Sequence, residues 1–272
     1  MLNLLSPALF TNHRGQSKAD APSPAIWSRI KGEAVSPDGT EAMVGVISNF
    51  QGYGVSITGT GSASVGEFQA QTTGTGSDAI SQTDGSGINL VSALTTGTAS
   101  LTSGNNIGGI GTLDLSKSLA FESRVKLTES AANELNLCCG LAEPAIAVGD
   151  KCIDTKGSPN SDFVGFVVAA DNTIKFLYQT DNSNRSFVSG VSQAITSGSS
   201  YKLGFVLDSN SSEERLRIYI DGVQKASVSK ATIDGDANWP DDINIAAQVG
   251  VRASSSADQE AKVSFCHCIQ VG

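Results

Sequence analysis

The chain has 272 residues, of which 39% are hydrophobic and 17% are charged, and its formal net charge at pH 7 is −9. This length suits one all-β domain with a sizeable core. No apolar run approaches the roughly 20 residues that span a bilayer, and an acidic chain attracts the phosphates of duplex nucleic acid poorly. We therefore expect neither a membrane nor a nucleic acid as a partner.

Residues 1–34 are predicted to form an extended arm outside the main domain. The first ten residues, MLNLLSPALF, are apolar but lack the basic residues of a secretory signal. Pro7, Pro22 and Pro24 oppose independent folding, whereas the large apolar side chains of this segment would be costly to leave in water. Basic residues would add attraction to an acidic neighbouring subunit. The predicted partner-binding residues of the arm are Leu4, Leu5, Leu9, Phe10, Arg14 and Trp27. A solvated tail with incidental charge is the open alternative.

The region from about Gly45 to Gly111 is rich in Gly, Ser and Thr, a composition that flexible linkers share. Its apolar residues nevertheless fall in strand-like clusters, as at 44–47 and 88–91. Thr and Ser alternate with small residues between the clusters, which is typical of exposed strands and tight turns. We interpret this region as the thin-stranded first half of a β-sandwich.

The region from 119 onward contains closely spaced segments in which apolar and polar residues alternate. In RLRIYIDGVQ, Leu216, Ile218 and Ile220 share one face and are predicted to point inward, while the intervening residues point the other way. Asp221-Gly222 then supplies the positive-φ positions of a tight hairpin. Helical periodicity is almost absent. These patterns predict an antiparallel β-sandwich over residues 35–272.

The order of these segments carries a resemblance to a known family. FESRVKL, CCGLAE, DFVGFVV, YKLGFVLD, RIYIDGVQ and the closing FCHCIQV together resemble concanavalin A-like lectin/glucanase jelly rolls. They are especially similar to the laminin-G-like versions found in virion proteins of tailed bacteriophages. The resemblance covers residues 85–272 and implies a jelly-roll sandwich; fold alone does not imply function.

Catalysis is not expected from this sequence. Glucanases of this fold carry closely spaced carboxylates, Glu-x-Asp-x-x-Glu on one strand, which flank the scissile bond. Here Glu122 stands alone on its predicted strand. The two histidines are His13 and His267, and no Gly-x-Ser-x-Gly nucleophile motif accompanies them. We predict no catalytic residue and no cofactor.

The five cysteines allow three interpretations. Cys266-His267-Cys268 on a strand is a poor match to a zinc site, because its neighbouring side chains point to opposite faces. A disulfide could join Cys138 or Cys139 to Cys152. The favoured interpretation is that the cysteines are small buried thiols in a protein made in a reducing cytosol. We predict no metal site here.

The loop DGDANWPDD, residues 234–242, is the remaining candidate site. Asp234, Asp236 and Asn238 alternate as oxygen ligands do in calcium loops, although Trp239 occupies the glycine position of an EF-hand. Lectins of the resembled fold bind calcium, and Trp239 could contact a sugar. This loop is therefore a candidate for calcium or a glycan; an Asx-rich turn is the alternative.

Together these observations predict a non-enzymatic virion structural protein, a capsid decoration or cement subunit anchored by its arm. Its partners would be the major capsid protein, other virion subunits or further copies of itself. It would lie on the capsid surface after synthesis in the host cytoplasm. The alternative is a carbohydrate-binding module of a tail fibre or adhesin, with a glycan as partner.

Overall fold

A computed structural model describes residues 22–30, 43–48, 50, 55–65, 68–73, 79–82, 87–92, 98–103, 113–129, 135–142, 162–169, 171–180, 184–240, 244–253 and 259–271. Within them are two helices, α1 (Pro24–Ile30) and α2 (Lys230–Asp234). The strands are β1 (Met43–Ser48), β2 (Ser56–Thr58), β3 (Gly61–Val65), β4 (Phe68–Thr73), β5 (Ala79–Ser81), β6 (Ile88–Ser92), β7 (Thr98–Ser103), β8 (Leu113–Asp114), β9 (Ser118–Glu129), β10 (Leu135–Ala142), β11 (Phe163–Val168), β12 (Thr173–Gln179), β13 (Arg185–Phe187), β14 (Gln193–Ala194), β15 (Ser199–Leu207), β16 (Leu216–Ile220), β17 (Val223–Val228), β18 (Asn244–Ala253) and β19 (Gln259–Val271).

The strands form two antiparallel sheets. Sheet A has the order β17-β16-β15-β9-β19-β6-β5-β2, with β1 also paired to β19. Sheet B has the order β13-β12-β11-β10-β18-β7-β4-β3, with β14 on β12 and β8 on β18. The predicted antiparallel sandwich is therefore confirmed, and the Gly/Ser/Thr-rich region does supply strands to both sheets. Neither helix in the described part of the chain has the length and apolar character needed to cross a membrane.

The core lies between the sheets and is rich in phenylalanine. Phe205 of sheet A stacks on Phe121, with ring centroids 5.3 Å apart, and meets Phe176 of sheet B edge-on at 5.4 Å. All three rings are fully buried. Burying one such side chain stabilises the fold by about 1.5–3 kcal/mol. Phe205 thus ties the two sheets together.

The hairpin between β16 and β17 follows the sequence pattern. Leu216, Ile218 and Ile220 are buried in the core, as predicted. Asp221 and Gly222 have φ values of 53° and 75°, a conformation that Gly adopts at no steric cost and Asp tolerates. The hairpin prediction is confirmed.

Helix α1 packs on the face of sheet A that points away from the core. Ile26 and Trp27, 0% and 3% exposed, cluster there with small and apolar side chains from β9, β15, β16 and β19. The expectation of an extended arm is therefore wrong for Pro24–Ile30, because Trp27 is buried by the chain's own sheet and is not available to a partner. The other five predicted partner-binding residues of the arm lie outside the described residues: Leu4, Leu5, Leu9, Phe10 and Arg14.

The outward residues of β16 and its preceding turn are also less exposed than alternation implies. Tyr219 is 2% exposed beneath α1. Arg217 forms ion pairs with Glu214 at 2.9 Å and Asp208 at 3.3 Å. These contacts cover the outer face of β16, so the side chains on both faces of this strand are buried.

The cysteines divide into two chemical classes. Cys138 is disulfide-bonded, which corrects the favoured interpretation for this residue; Cys152, the partner we considered, lies outside the described residues. Cys139, Cys266 and Cys268 are free and buried in the core. Burial raises the pKa of the Cys139 thiol to about 12, although Ser123 opposes the shift by hydrogen bonding. These three thiols are therefore protonated and unreactive at neutral pH.

Candidate binding site

A cleft of about 350 Å³ opens at one end of the sandwich. Four segments form it: the turn between β8 and β9, the loop between β15 and β16, helix α2, and the loop that follows α2. The residues lining the cleft are Leu115, Ser116, Ser209, Arg215, Lys230, Ile233, Asp234, Asp236 and Trp239. It therefore combines apolar surface with hydroxyl groups and charges of both signs, at the lower end of the volumes typical of ligand pockets.

Arg215 forms one wall of the cleft and is held rigidly. Its Nη1 donates to the carbonyl of Ser209 at 3.2 Å, and its Nη2 donates to the carbonyls of Leu115 at 3.3 Å and Ser116 at 3.4 Å. Its Nε–H is buried and has no hydrogen-bond partner among the described residues. Arg215 is 7% exposed, so the three carbonyls hold a preorganised cation in this wall.

Helix α2 contributes Lys230, Ile233 and Asp234 to the cleft. Ser229 caps its N-terminus by accepting a hydrogen bond from the backbone N–H of Thr232 at 3.2 Å, a role that favours Ser. Lys230 and Asp234, four residues apart on the helix, form an ion pair at the cleft. Because this pair is exposed, it contributes little to stability.

Asp236 holds the loop after α2 against sheet B. Its Oδ2 accepts from the Tyr178 hydroxyl at 2.8 Å and the Ser186 hydroxyl at 2.6 Å, and its Oδ1 accepts from the backbone N–H of Asn238 at 3.0 Å. Desolvation alone would raise the pKa of Asp236, but these hydrogen bonds together lower it. The same site raises the pKa of Tyr178 to about 12, through desolvation first and then through Asp236. The loop thus carries a fixed, ionised carboxylate.

Trp239 packs edge-on against Tyr178, with ring centroids 5.1 Å apart. It is 6% exposed, so it forms part of the cleft wall and not the open aromatic platform that a sugar-binding loop usually offers. Asn238 lies behind the cleft, where its Nδ2 donates to Ser186 at 3.0 Å.

The structure thus brings Asp234, Asp236 and Trp239 to one cleft and leaves Asn238 beside it. Three of these four predicted loop residues share a site, but they do not converge as calcium ligands. In the part of the chain that the structure describes, no group of three or more His, Cys, Asp or Glu side chains is placed to hold a metal ion. Sequence reasoning missed Arg215, Lys230, Ser116 and Ser209, which come from distant segments.

A second polar cluster lies beneath α1, and it is structural. Glu122 is fully buried and pairs in register with His267 of β19. Its Oε2 accepts from the Trp27 Nε1–H at 2.6 Å and from the backbone N–H of Ser23 at 2.9 Å. His267 stacks on Phe265 at 4.7 Å and meets Trp27 at 5.9 Å. Both Glu122 and His267 are 0% exposed, which leaves a substrate no access.

No protein-family model and no curated protein matches the chain. Solved structures that it resembles include the carbohydrate recognition domain of Emp46p, at 8% identity and a TM-score of 0.49, covering 74% of this chain and 87% of that one. Another is SCLam, a non-specific endo-β-1,3(4)-glucanase of family GH16, at 12% identity and a TM-score of 0.47, covering 70% and 74%. A protein of unknown function from Shewanella oneidensis MR-1 is similar over 96% of this chain and 97% of its own length, at 11% identity and a TM-score of 0.48.

These structures include both a carbohydrate recognition domain and a glucanase, and all three have TM-scores below 0.5. At these identities and scores the likeness concerns the fold alone. Function has to be argued from the cleft.

Proposed function

We propose that this chain is a non-enzymatic, lectin-like module that binds a glycan in the cleft between α2 and the β15–β16 loop. One observation carries the proposal: a preorganised arginine, a fixed carboxylate and two serines surround an apolar wall in a pocket of about 350 Å³. Sugars present hydroxyl groups together with apolar C–H surface, so they suit sites of this mixed chemistry.

The charges of the cleft argue against hydrolysis. A glycosidase needs one carboxyl group that stays protonated to act as the acid. Asp234 is paired with Lys230, and the pKa of Asp236 lies below its usual range. Asp236 is therefore not a suitable acid at neutral pH, and Asp234 is held in its ion pair with Lys230. Both carboxyl groups can accept hydrogen bonds from a bound sugar.

The proposal is tested by glycan-array screening followed by calorimetry with the best binder. Ser116 is exposed at the cleft, and Ser116→Trp should obstruct the cleft without disturbing the core. Ser192→Trp is the matched control, since Ser192 is exposed next to β14, which pairs with Thr173 and Ile174 at the end of β12 remote from Tyr178. We expect binding to be lost in the first variant and kept in the second. Equal binding by both variants, or no glycan bound by the native protein, would contradict the proposal.

As a second proposal, we infer that such a module is attached to a virion through the N-terminal residues of the chain. The Ser23–Glu122 hydrogen bond anchors the chain to sheet A just after the residues of the predicted arm that lie outside the described ranges. Because α1 belongs to the sandwich, the deletion that tests a tether is 2–21. It should leave melting unchanged and abolish attachment to particles; normal occupancy of particles by the truncated protein would refute the tether.

A further inference from the structure

The two arginines around the start of β16 are equally buried but differ in their partners. Arg215 and Arg217 are each 7% exposed. Arg217 is neutralised by ion pairs with Glu214 and Asp208. Arg215 donates to three backbone carbonyl groups and, among the described residues, forms no ion pair with a carboxylate. A buried charge is costly unless an opposite charge compensates it, so Arg215 lacks a counter-charge that a ligand in the cleft can supply.

Arg215 also keeps N–H groups that no described acceptor uses. A guanidinium group has five N–H donors, two of them on each Nη. Nη1 of Arg215 makes one hydrogen bond, to the Ser209 carbonyl, and the Nε–H makes none among the described residues. One Nη1–H therefore remains beside Ser209, which lines the cleft together with Arg215. This donor is free for an acceptor bound in the cleft.

The other charged groups of the cleft suit the hydroxyl groups of a ligand. Lys230 pairs with Asp234, and Asp236 accepts hydrogen bonds from three neutral donors. In the described part of the chain, neither aspartate forms an ion pair with Arg215. A carboxylate can accept about four hydrogen bonds, so each aspartate can still accept one from a ligand hydroxyl. The cleft thus offers one cation to an anionic group and two carboxylates to hydroxyl groups.

We propose that the sugar bound in the cleft carries a carboxylate group, as uronic acids and sialic acids do; this inference rests on the glycan-binding function proposed above. The carboxylate accepts a charge-assisted hydrogen bond from Nη1 of Arg215, and such a bond is roughly twice as strong as a neutral one. Ring hydroxyl groups donate to Asp234 or Asp236. One cation without a counter-charge suits one negative charge, whereas the two aspartates would repel a phosphate group that carries two.

The first experiment compares acidic sugars with their methyl esters, which keep the sugar ring but lack the charge. Trigalacturonic acid and sialyllactose represent the two kinds of acidic sugar, and calorimetry measures each beside its own methyl ester. A hydrogen bond to a charged group is stronger than a neutral one by an amount that corresponds to about tenfold in affinity. We therefore expect at least one acid to bind about tenfold more tightly than its ester. Ser116→Trp should abolish the binding of that acid.

Two variants of the ion pair on α2 change the charge of the cleft in opposite directions. Asp234→Asn removes a negative charge and releases Lys230, so it should raise affinity for the acid roughly two- to fivefold, and Lys230→Gln should lower it by a similar factor. The ester should gain nothing from Asp234→Asn. Asp171→Asn and Lys175→Gln are the matched controls, because they change the same kind of pair at the end of β12 remote from Tyr178. Surface ion pairs contribute little to stability, so all four variants should melt as the native protein does.

The outcomes separate this inference from the proposed function. If acids and esters bind equally, or if only neutral glycans bind, and Ser116→Trp abolishes that binding, the proposed function stands and the carboxylate inference is overturned. If no glycan of either kind binds, both are overturned. The inference also fails if the acid still binds to Ser116→Trp, which would place the acidic site elsewhere, or if Asp234→Asn changes affinity for the acid no more than Asp171→Asn does.

Discussion

The contact between Trp27 and sheet A gives the sharpest test of the fold on the N-terminal side. Trp27 is 3% exposed and its Nε1–H donates to the buried Glu122 at 2.6 Å. Truncating a buried Trp to Ala costs about 3–5 kcal/mol. Trp27→Phe keeps most of the apolar contact but removes a hydrogen bond to an ionisable group, which costs about 1.5–3 kcal/mol.

These magnitudes convert into large melting shifts. A domain of this size class loses about 2–4 °C per kcal/mol, so Trp27→Ala should lower the melting temperature by roughly 6–20 °C and Trp27→Phe by roughly half as much. Thermal unfolding followed by circular dichroism, with urea titrations in parallel, measures both. Phe187→Ala is the control, because Phe187 is 47% exposed and its loss should change stability by about 0.5 kcal/mol or less.

The same experiment separates the two interpretations of this residue. If Trp27 bound a partner subunit and not sheet A, both Trp27 variants of the isolated protein would have the same melting temperature as the native protein. That result would refute the packing of α1 on sheet A and would support the prediction of an extended arm.

Three further predictions follow from buried groups, and a fourth from the cleft. Desolvation raises the pKa of Glu122 in the folded state, so this residue favours folding at low pH, and that contribution is lost as pH rises through the folded-state pKa. Glu122→Gln keeps an acceptor for Ser23 and Trp27, and its stability relative to the native protein should increase between acid and neutral pH. A stability difference that does not depend on pH would contradict this. Ile218→Asp should unfold the protein, since an unpaired buried charge costs several kcal/mol, on the order of the whole net stability, whereas Val223→Asp at a site that is 59% exposed should fold normally in circular dichroism. Gly204→Ala should loosen α1 in hydrogen exchange, because its Cβ would lie 2.4 Å from Ile26 Cδ1 and 2.9 Å from the Phe121 carbonyl oxygen, and unchanged protection of α1 would count against this packing. Finally, reducing-sugar assays on β-glucans and other polysaccharides should detect no turnover; activity abolished by Asp234→Asn or Asp236→Asn would show that the cleft is catalytic.

The strands of the sandwich could be predicted because apolar and polar residues alternate along consecutive positions of each strand. Leu216, Ile218 and Ile220 alternate with polar residues, and Asp221-Gly222 marks the turn, so β16 and β17 follow from local rules alone. The alternation assigns side chains to faces. It does not say what covers the second face. Tyr219 points away from the core, as predicted, but it is buried under α1, which the alternation could not show.

Helix α1 was missed because the helix is one short segment in a proline-rich context. Ile26, Trp27 and Ile30 do have helical spacing, but seven residues are less than two turns, too few to establish a helical period. Packing on sheet A, not local propensity, stabilises it. A signal does exist for Cys138 and Cys139: adjacent strand residues face opposite ways, so one of them faces the core and stays a free thiol while the other is available for a disulfide.

The candidate loop was predicted in part. Its alternating acidic residues did mark a structured turn, and three of the four loop residues line the cleft. Arg215 and Ser116 could not be assigned to the same site, because they are about 100 residues apart and meet only when the β8–β9 turn packs beside the β15–β16 loop. Contacts of that kind depend on the whole sandwich.

The place of β19 has a consequence for how the protein is made. It is the last of the described strands in the chain, yet it lies in the middle of sheet A, where it pairs with β9, β6 and β1. During translation at about 5–20 residues per second, β9 and β6 therefore emerge with unpaired edges and wait for more than a hundred residues of synthesis. A nascent chain that ends before Gln259 lacks the strand that joins β6 to β9, so sheet A cannot be completed until β19 has been synthesised. Chaperones that shield strand edges should therefore associate with the ribosome-bound intermediate before that point.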